Sequence, residues 1–278
     1  MGEARRLRYS IIDPTGNITA LVEDEVAVDE QPAVAAQVME RHPEVEQVGF
    51  VRPAAGEEGV QGELRMAGGE FCGNATMSAA ALLRLRGEDG CEGEPSALRL
   101  RSSGAARPVE VHLTPVGADA FATSICMPAA TSIEDVRLSF GQASATVPVV
   151  FMEGISHAVI TSSSHFFALR ETPAEAEQAV RAWCAELGTD GLGLMFVEVG
   201  EPDCAMVPLV YVPAANTVFW ENSCASGSAS VGMCLAAQRG AACALSLHEP
   251  GGVLRVESDP AGSTWLFGHA RLVGEYTL

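Results

Sequence analysis

The sequence predicts an α/β chain, of α+β type, folded as two pseudo-symmetric halves, and three observations carry that reading. Short β-rich runs alternate with helical runs along all 278 residues. The first half runs strands, one amphipathic helix, more strands, a cysteine and a buried helix, and the second half repeats that order. Aligning Cys72 with Cys224 gives an offset of 224 − 72 = 152, at which Ser78 falls on Ser230 and Leu83 on Leu235, as an internal duplication leaves them. The length suits one large domain or two ordinary ones. We set the halves at 1–130 and 131–267.

Tyr9–Ile12 is short and β-rich, Pro14-Thr15-Gly16-Asn17 is turn chemistry, and Ile18–Val22 is a second strand. A helix follows with Pro32 at its first position, and Pro43 stops it after His42. Val45–Val51 reads as a strand, Ala55–Gly62 as a Gly/Glu-rich link, and Gly62–Met66 leads into Cys72. Gly73–Arg86 is rich in Ala, Leu and Met without proline, hence a buried helix. Strands follow at Leu98–Leu100, Val109–Leu113 and Phe121–Met127.

In the second half Val147–Phe151 and Ala158–Thr161 read as strands. Thr172-Pro173-Ala174-Glu175 has the form of a capping box and opens a helix to about Leu187. Strands are expected at Leu194–Val199, Val207–Val212 and Thr217–Trp220. Ser223-Cys224-Ala225-Ser226-Gly227 then starts a second Ala-rich helix to about Arg239, and Trp265–Tyr276 returns to strand.

Composition bounds the partners. Hydrophobic residues make up 47% and charged residues 19%, enough for a packed core. A net charge of −19 repels nucleic acid and anionic membranes, so neither is expected as a partner, and the acidity reads as solubility. The first residues lack the apolar stretch of a signal peptide and no run of about 18 apolar residues occurs, so a cytoplasmic, reducing compartment is expected. Eight cysteines include no C-x-x-C pair, which speaks against zinc and dithiol-redox sites; no metal is expected. Six of them read as small buried hydrophobes.

Cys72 and Cys224 are different. Each follows a predicted strand and opens a helix, where free N–H groups and the helix dipole favour an anion. A thiol there can ionise near neutrality, and the same N–H groups can hold a carboxylate. Two such helices facing each other would put a sulfur on each side of a bound α-carbon. A thiolate removes the proton from one face and a thiol returns one to the other. Buried contacts to the carboxylate stabilise the developing charge, so no metal or pyridoxal cofactor is required.

Phe71-Cys72-Gly73-Asn74-Ala75 resembles the Cys-Gly-Asn-Gly motif of the diaminopimelate epimerase family, and Cys224-Ala225-Ser226-Gly227-Ser228 resembles that family's Cys-Gly-Thr/Ser-Gly-Ala. Gly154-Ile155-Ser156-His157-Ala158-Val159 is similar to its Gly-Asn-Pro-His-Ala-Val, and Gly16-Asn17 to its N-terminal Gly-Asn. The set spans nearly the whole chain in the family's order, and the superfamily also holds proline racemases and phenazine-biosynthesis-type isomerases. The resemblance implies a diaminopimelate epimerase-like fold in which each half is a curled, mostly antiparallel sheet around a central helix. The C-terminal strand, about 268–278, then returns to the first half. It implies that Cys72 and Cys224 are the base–acid pair, with the N–H groups of Gly73, Asn74, Ala225 and Ser226 on the α-carboxylate. The family's Glu-Arg pair is absent: Trp220-Glu221-Asn222-Ser223-Cys224 is compressed and lacks arginine, and Ile155 replaces the asparagine of Gly-Asn-Pro-His. Those side chains grip the far end of diaminopimelate. The compressed pattern, with Glu-Phe-Cys-Gly-Asn-Ala-Thr at the first site, is more like the histidine racemases of opine-metallophore pathways, in which a glutamate matching Glu46 lies near the site.

Glu221 is a candidate for orienting the substrate and Glu46 for assisting it, with a surface carboxylate as the plain alternative for each. His157 reads as a pocket residue or as a structural histidine at a strand edge. Asn17 and Asn74 are candidate substrate contacts or turn residues, Thr76 and Ser78 packing residues. Cys234 and the three tryptophans read as packing. The expected enzyme is thus a cofactor-independent isomerase acting on histidine or a similar single-headed amino acid. Diaminopimelate epimerase, a non-catalytic amino-acid-binding protein and a thiol-redox protein are the alternatives. A homodimer is compatible with the charge.

Overall fold

The computed structural model describes residues 6–54, 56, 58–87 and 94–278. Cys91 and parts of the Gly/Glu-rich link fall outside them. The first half supplies β1 (Arg8–Asp13), β2 (Thr19–Val22), α1 (Gln31–Arg41), β3 (Gln47–Pro53), β4 (Gly62–Met66), α2 (Gly73–Arg86), β5 (Ser96–Ser102), β6 (Val109–Gly117) and β7 (Ala120–Cys126). The chain continues through β8 (Ser132–Phe140), β9 (Ala143–Phe151), β10 (Ser156–Thr161), a 3-10 segment His165–Glu171 and α3 (Pro173–Leu187). It ends with β11 (Leu192–Glu198), β12 (Asp203–Val212), β13 (Thr217–Trp220), α4 (Ala225–Arg239), β14 (Cys243–Glu249), β15 (Gly252–Ser258) and β16 (Thr264–Thr277).

The chain is α+β, and its first sheet closes. Strands β1 to β7 pair in order, β7 pairs with β16, and β16 pairs back to β1, giving an eight-stranded barrel. The 14-residue β16 joins both halves: Trp265–Arg271 lies against β7, and its end runs antiparallel to β1 from Asp13↔Arg271 to Arg8↔Thr277. From β16 the sheet continues through β15, β14, β12, β11, β10 and β9 to β8, and this second sheet stays open. Most pairs are antiparallel. Among the described residues the parallel pairs are β2–β3, β4–β5, β10–β11 and β12–β14, and each flanks a helix in sequence, as a crossover connection requires.

The two central helices explain the Ala-rich segments. Gly73–Leu82 of α2 are all buried, and α2 touches all eight barrel strands. Ala225–Ala236 of α4 are likewise buried, and their mostly small side chains let the helix lie close against β9, β10, β11, β14, β15 and β16. A helix surrounded by sheet has no solvent face, so it is apolar all round. The outer helices are amphipathic: α1 buries Val34, Ala35 and Val38 on the barrel, and α3 buries Val180 and Trp183 behind the second sheet. The Trp183 indole N–H donates to Ser139 O at 2.8 Å, and loss of such a side chain costs about 3–5 kcal/mol.

Some expectations change. The open edge strand β8 and the β14–β15 hairpin were not predicted. Thr172 does not cap α3 by its side chain: its hydroxyl turns back to Leu169 O at 3.3 Å, the carbonyl that also takes the Thr172 N–H at 3.0 Å as the 3-10 segment ends. No helix among the described residues is long and apolar enough to cross a membrane.

Candidate active site

Cys72 is the extended N-cap of α2, placed by the Ala67–Gly69 turn after β4. Its Sγ accepts the Ala75 N–H at 3.4 Å and donates to Gln47 Oε1 at 2.9 Å. Gln47, first residue of β3, is fixed by Thr19 Oγ1 at 2.8 Å and by Asn17 Oδ1. The buried Asn17 donates to Glu46 Oε2 at 3.0 Å. Cys72 therefore rests on an amide network rooted in the barrel wall, and its side chain is partly exposed.

Cys224 is the extended N-cap of α4 and is buried. Its N–H donates to Glu249 Oε2 at 2.7 Å, and the Ser228 hydroxyl donates to Glu249 Oε1 at 2.6 Å. His157 is fully buried on β10, an interior strand rather than an edge. Its Nε2 lies 3.2 Å from Ser226 Oγ and its Nδ1 3.0 Å from Ser230 Oγ. Burial pushes the imidazole pKa down to about 3, so the ring is neutral and its two nitrogens are occupied by serines.

Several contacts hold these turns mouth to mouth. A Cβ built on Gly73 would lie 2.9 Å from Ala225 Cβ, so the two helix starts abut. Asn74 Nδ2 donates to Ser223 O at 3.0 Å, from one cysteine turn to the other. Glu46 receives the Asn222 N–H at 3.1 Å and the Asn222 amide, tying β3 to the Cys224 loop. Gly16, at φ +96, packs against Gly251, where a Cβ would come within 2.5 Å of Gly251 Cα; Gly251 N–H in turn donates to Asn222 O at 2.7 Å. Only glycine combines that positive φ with so close a backbone approach.

Electrostatically the site is crowded with carboxyls. Burial and then the Glu221 charge push the Cys72 thiol up to about 12. Burial, Glu221 and Glu249 push Cys224 well above the ordinary thiol range. One carboxyl, Glu221, thus acts on both sulfurs. Burial raises Glu221 and Glu249 to about 8 each, against the opposing hydrogen bonds from Cys224 and from Ser228 with the Cys224 N–H. Glu46 is raised by burial, against its bonds to Asn222 and Asn17. A cavity of about 140 Å³ beside Gln47 is lined by Glu46, Glu70, Ala35, Thr217 and Phe219.

The structure brings Cys72, Gly73, Asn74, Asn17, Glu46, Glu221, Cys224, Ala225 and Ser226 into one neighbourhood. Glu46 is a linking carboxylate between the halves, not a free surface group. His157 supports the α4 start from beneath through Ser226. Sequence reasoning missed Gln47, Asn222 and Glu249. The signal for Glu249 lay in Glu249-Pro250-Gly251-Gly252, a carboxylate at a tight hairpin turn. Among the described residues no group of three or more His, Cys, Asp or Glu could hold a metal ion.

Residues 6–264 match the family described as histidine racemase CntK N-terminal domain. A histidine racemase from Staphylococcus aureus strain Mu50 is 29% identical over 260 residues, 91% of this chain and 88% of that protein. One from Fusobacterium nucleatum subsp. nucleatum is 30% identical over 235 residues, 83% and 82%. Among solved structures, a hydroxyproline epimerase from Agrobacterium vitis with bound trans-4-hydroxy-L-proline superposes with a TM-score of 0.72 at 11% identity, covering 100% of this chain and 94% of that one. A probable proline racemase from Agrobacterium radiobacter K84 gives 0.72 at 11% identity, covering 98% and 92%. At such identities the structural likeness is one of fold.

Proposed function

Since the chain belongs to the histidine racemase CntK N-terminal domain family, and is thereby an amino-acid racemase or epimerase, we propose that it inverts histidine, or a similar single-headed amino acid, by proton transfer between Cys72 and Cys224. The observation that carries this reading is the abutment of two cysteine-capped helix starts, with Gly73 against Ala225 and Asn74 bonded to Ser223. The diaminopimelate epimerase-like form of the fold belongs to the same proposal.

The α-carboxylate sits on the N–H groups of Gly73, Asn74, Ala225 and Ser226, where two helix dipoles converge. The α-ammonium faces Glu221, with Glu46 behind it and Asn17 holding Glu46. His157 positions Ser226. The arriving ammonium offsets the Glu221 charge that raises both thiols, so substrate binding makes a thiolate easier to form. That thiolate takes the α-proton, and the opposite thiol delivers its own to the other face. The reaction belongs in a reducing, cytosolic compartment, because two facing thiols would otherwise close into a disulfide.

The test is incubation with each enantiomer of a panel of amino acids in deuterium oxide. Solvent deuterium appears at the α-carbon of the inverted product from L- and D-histidine, and not from LL-diaminopimelate. Exchange on diaminopimelate alone defeats the substrate assignment; no exchange on any amino acid defeats the mechanism.

A further inference from the structure

The turns differ in what lies under the helix start. Four residues after Cys72, Thr76 Oγ1 donates to Cys72 O at 2.7 Å and meets Ser102 Oγ, at the end of β5, at 3.0 Å. Four residues after Cys224, Ser228 Oγ donates instead to the carboxyl of Glu249, which ends β14. Ser102 and Glu249 close corresponding strands, each the first strand after a central helix. One half therefore has a neutral hydroxyl pair and the other a buried carboxyl. That carboxyl also takes the Cys224 N–H at 2.7 Å.

We propose that Glu249 is a positioning residue that makes the two cysteines unequal, so that Cys224 holds its proton more tightly than Cys72 does. This rests on the two-cysteine reading above. The charged groups facing Cys224 are Glu221 and Glu249, and those facing Glu249 are Cys224, Glu221 and Glu46. Glu221 acts on both sulfurs and also hydrogen-bonds Cys224, Glu70 adds its charge at Cys72, and Glu249 adds its charge at Cys224. In turnover the Cys72 thiolate takes the α-proton and becomes a thiol, while Cys224 gives up its S–H proton and becomes a thiolate. Release of one proton from Cys72 to water and uptake of one by Cys224 restore the form that began the cycle. Glu249 opposes the intermediate Cys224 thiolate and so favours that return.

The experiment is iodoacetamide alkylation across pH 7 to 9, about the range in which Glu249 ionises, with each cysteine followed by peptide mass spectrometry. Access differs between the two sulfurs, so the readout is the change from wild type to Glu249→Gln. The amide keeps the site's shape and removes its charge. Alkylation of Cys224 rises about tenfold, as one unit of thiol acidity gives, while Cys72 changes less than about twofold. In catalysis, the acid limb of kcat/KM, set by the group acting as base, moves to lower pH in the direction that starts from a Cys224 thiolate, and not in the reverse. An unchanged Cys224 rate, or an equal rise at both cysteines, overturns the proposal. Ser228→Ala gives a second reading should the first variant not fold. It removes a donor from the Glu249 carboxylate and so keeps more of it neutral, and Cys224 alkylation rises severalfold; no rise again overturns it. Alkylation reads thiol acidity without turnover, so its failure is separate from failure of the deuterium test.

Discussion

α2 lies inside a sheet that closes on itself, and α4 lies against one that stays open along β8. The barrel has no edge to protect. The second sheet ends on a strand whose solvent positions carry Glu134, Asp135 and Arg137, the charged edge that discourages pairing with another chain. The contrast reaches the sulfurs: barrel closure brings Gln47 of β3 to Cys72, a neutral amide, whereas the β14–β15 turn brings Glu249 beneath Cys224. Matching backbones thus carry unmatched electrostatics, and a two-sided proton exchange need not be run by equivalent thiols.

The largest effect expected is at the sulfurs themselves. Cys72→Ser and Cys224→Ser each lower racemisation by on the order of 10³-fold or more, with unfolding midpoints near wild type because a hydroxyl nearly replaces the thiol in volume. Steady-state kinetics by polarimetry checks this in both directions. If one variant keeps substantial turnover, the halves do not share the chemistry and the comparison fails.

The next effect sharpens the packing side. A Cβ on Gly227 would lie 2.1 Å from Met195 Sδ and 3.1 Å from Cys224 Sγ. Met195 is fully buried and has little room to yield. Gly227→Ala therefore destabilises by about 1–3 kcal/mol through overpacking, seen as a lower denaturant midpoint, and it also lowers kcat by displacing Cys224. By contrast Gly141→Ala, with nothing within 4 Å but φ +59, loses only the smaller backbone preference.

Much of this was legible in the residues. Cys72 and Cys224 were found because helix starts announce themselves: an extended residue, then small residues, then an unbroken apolar run. The central helices were found for the same reason. Barrel closure was not legible, since nothing local in Trp265–Tyr276 says that one strand will serve β15, β7 and β1 in turn. Glu249 and Gln47 escaped because their importance depends on contacts made far away in sequence. The alternating apolar residues of β14 and β15 (Cys243, Leu245, Leu247; Leu254, Val256) were visible, yet the Ala-rich helix before them drew the reading. The bond between Asn17 and Glu46 is a long-range pairing of two residues that were each noticed separately.

The smallest effect separates the halves by acid. His157, under α4, is neutral with a pKa of about 3, pushed down by burial from 6.5. Its contribution to stability is therefore present above pH 6.5 and is lost as pH falls from there towards 3, by about 1.4 kcal/mol per pH unit. Glu221 and Glu249 act with the opposite sign: their raised pKa values of about 8 give a contribution that is lost as pH rises from about 4.5 through 8. The two trends oppose each other between pH 4.5 and 6.5, two carboxyls against one imidazole, so the carboxyls dominate there and the histidine must be isolated by difference. His157→Gln keeps a polar side chain for Ser226 or Ser230 and cannot take up a proton. Its stability relative to wild type should improve steadily as pH falls from 6.5 to about 5. Native-state hydrogen exchange should locate the wild-type loss in α4 rather than α2, because the described residues place no histidine beneath Cys72; equal acid sensitivity of the two helices would remove His157 as its cause.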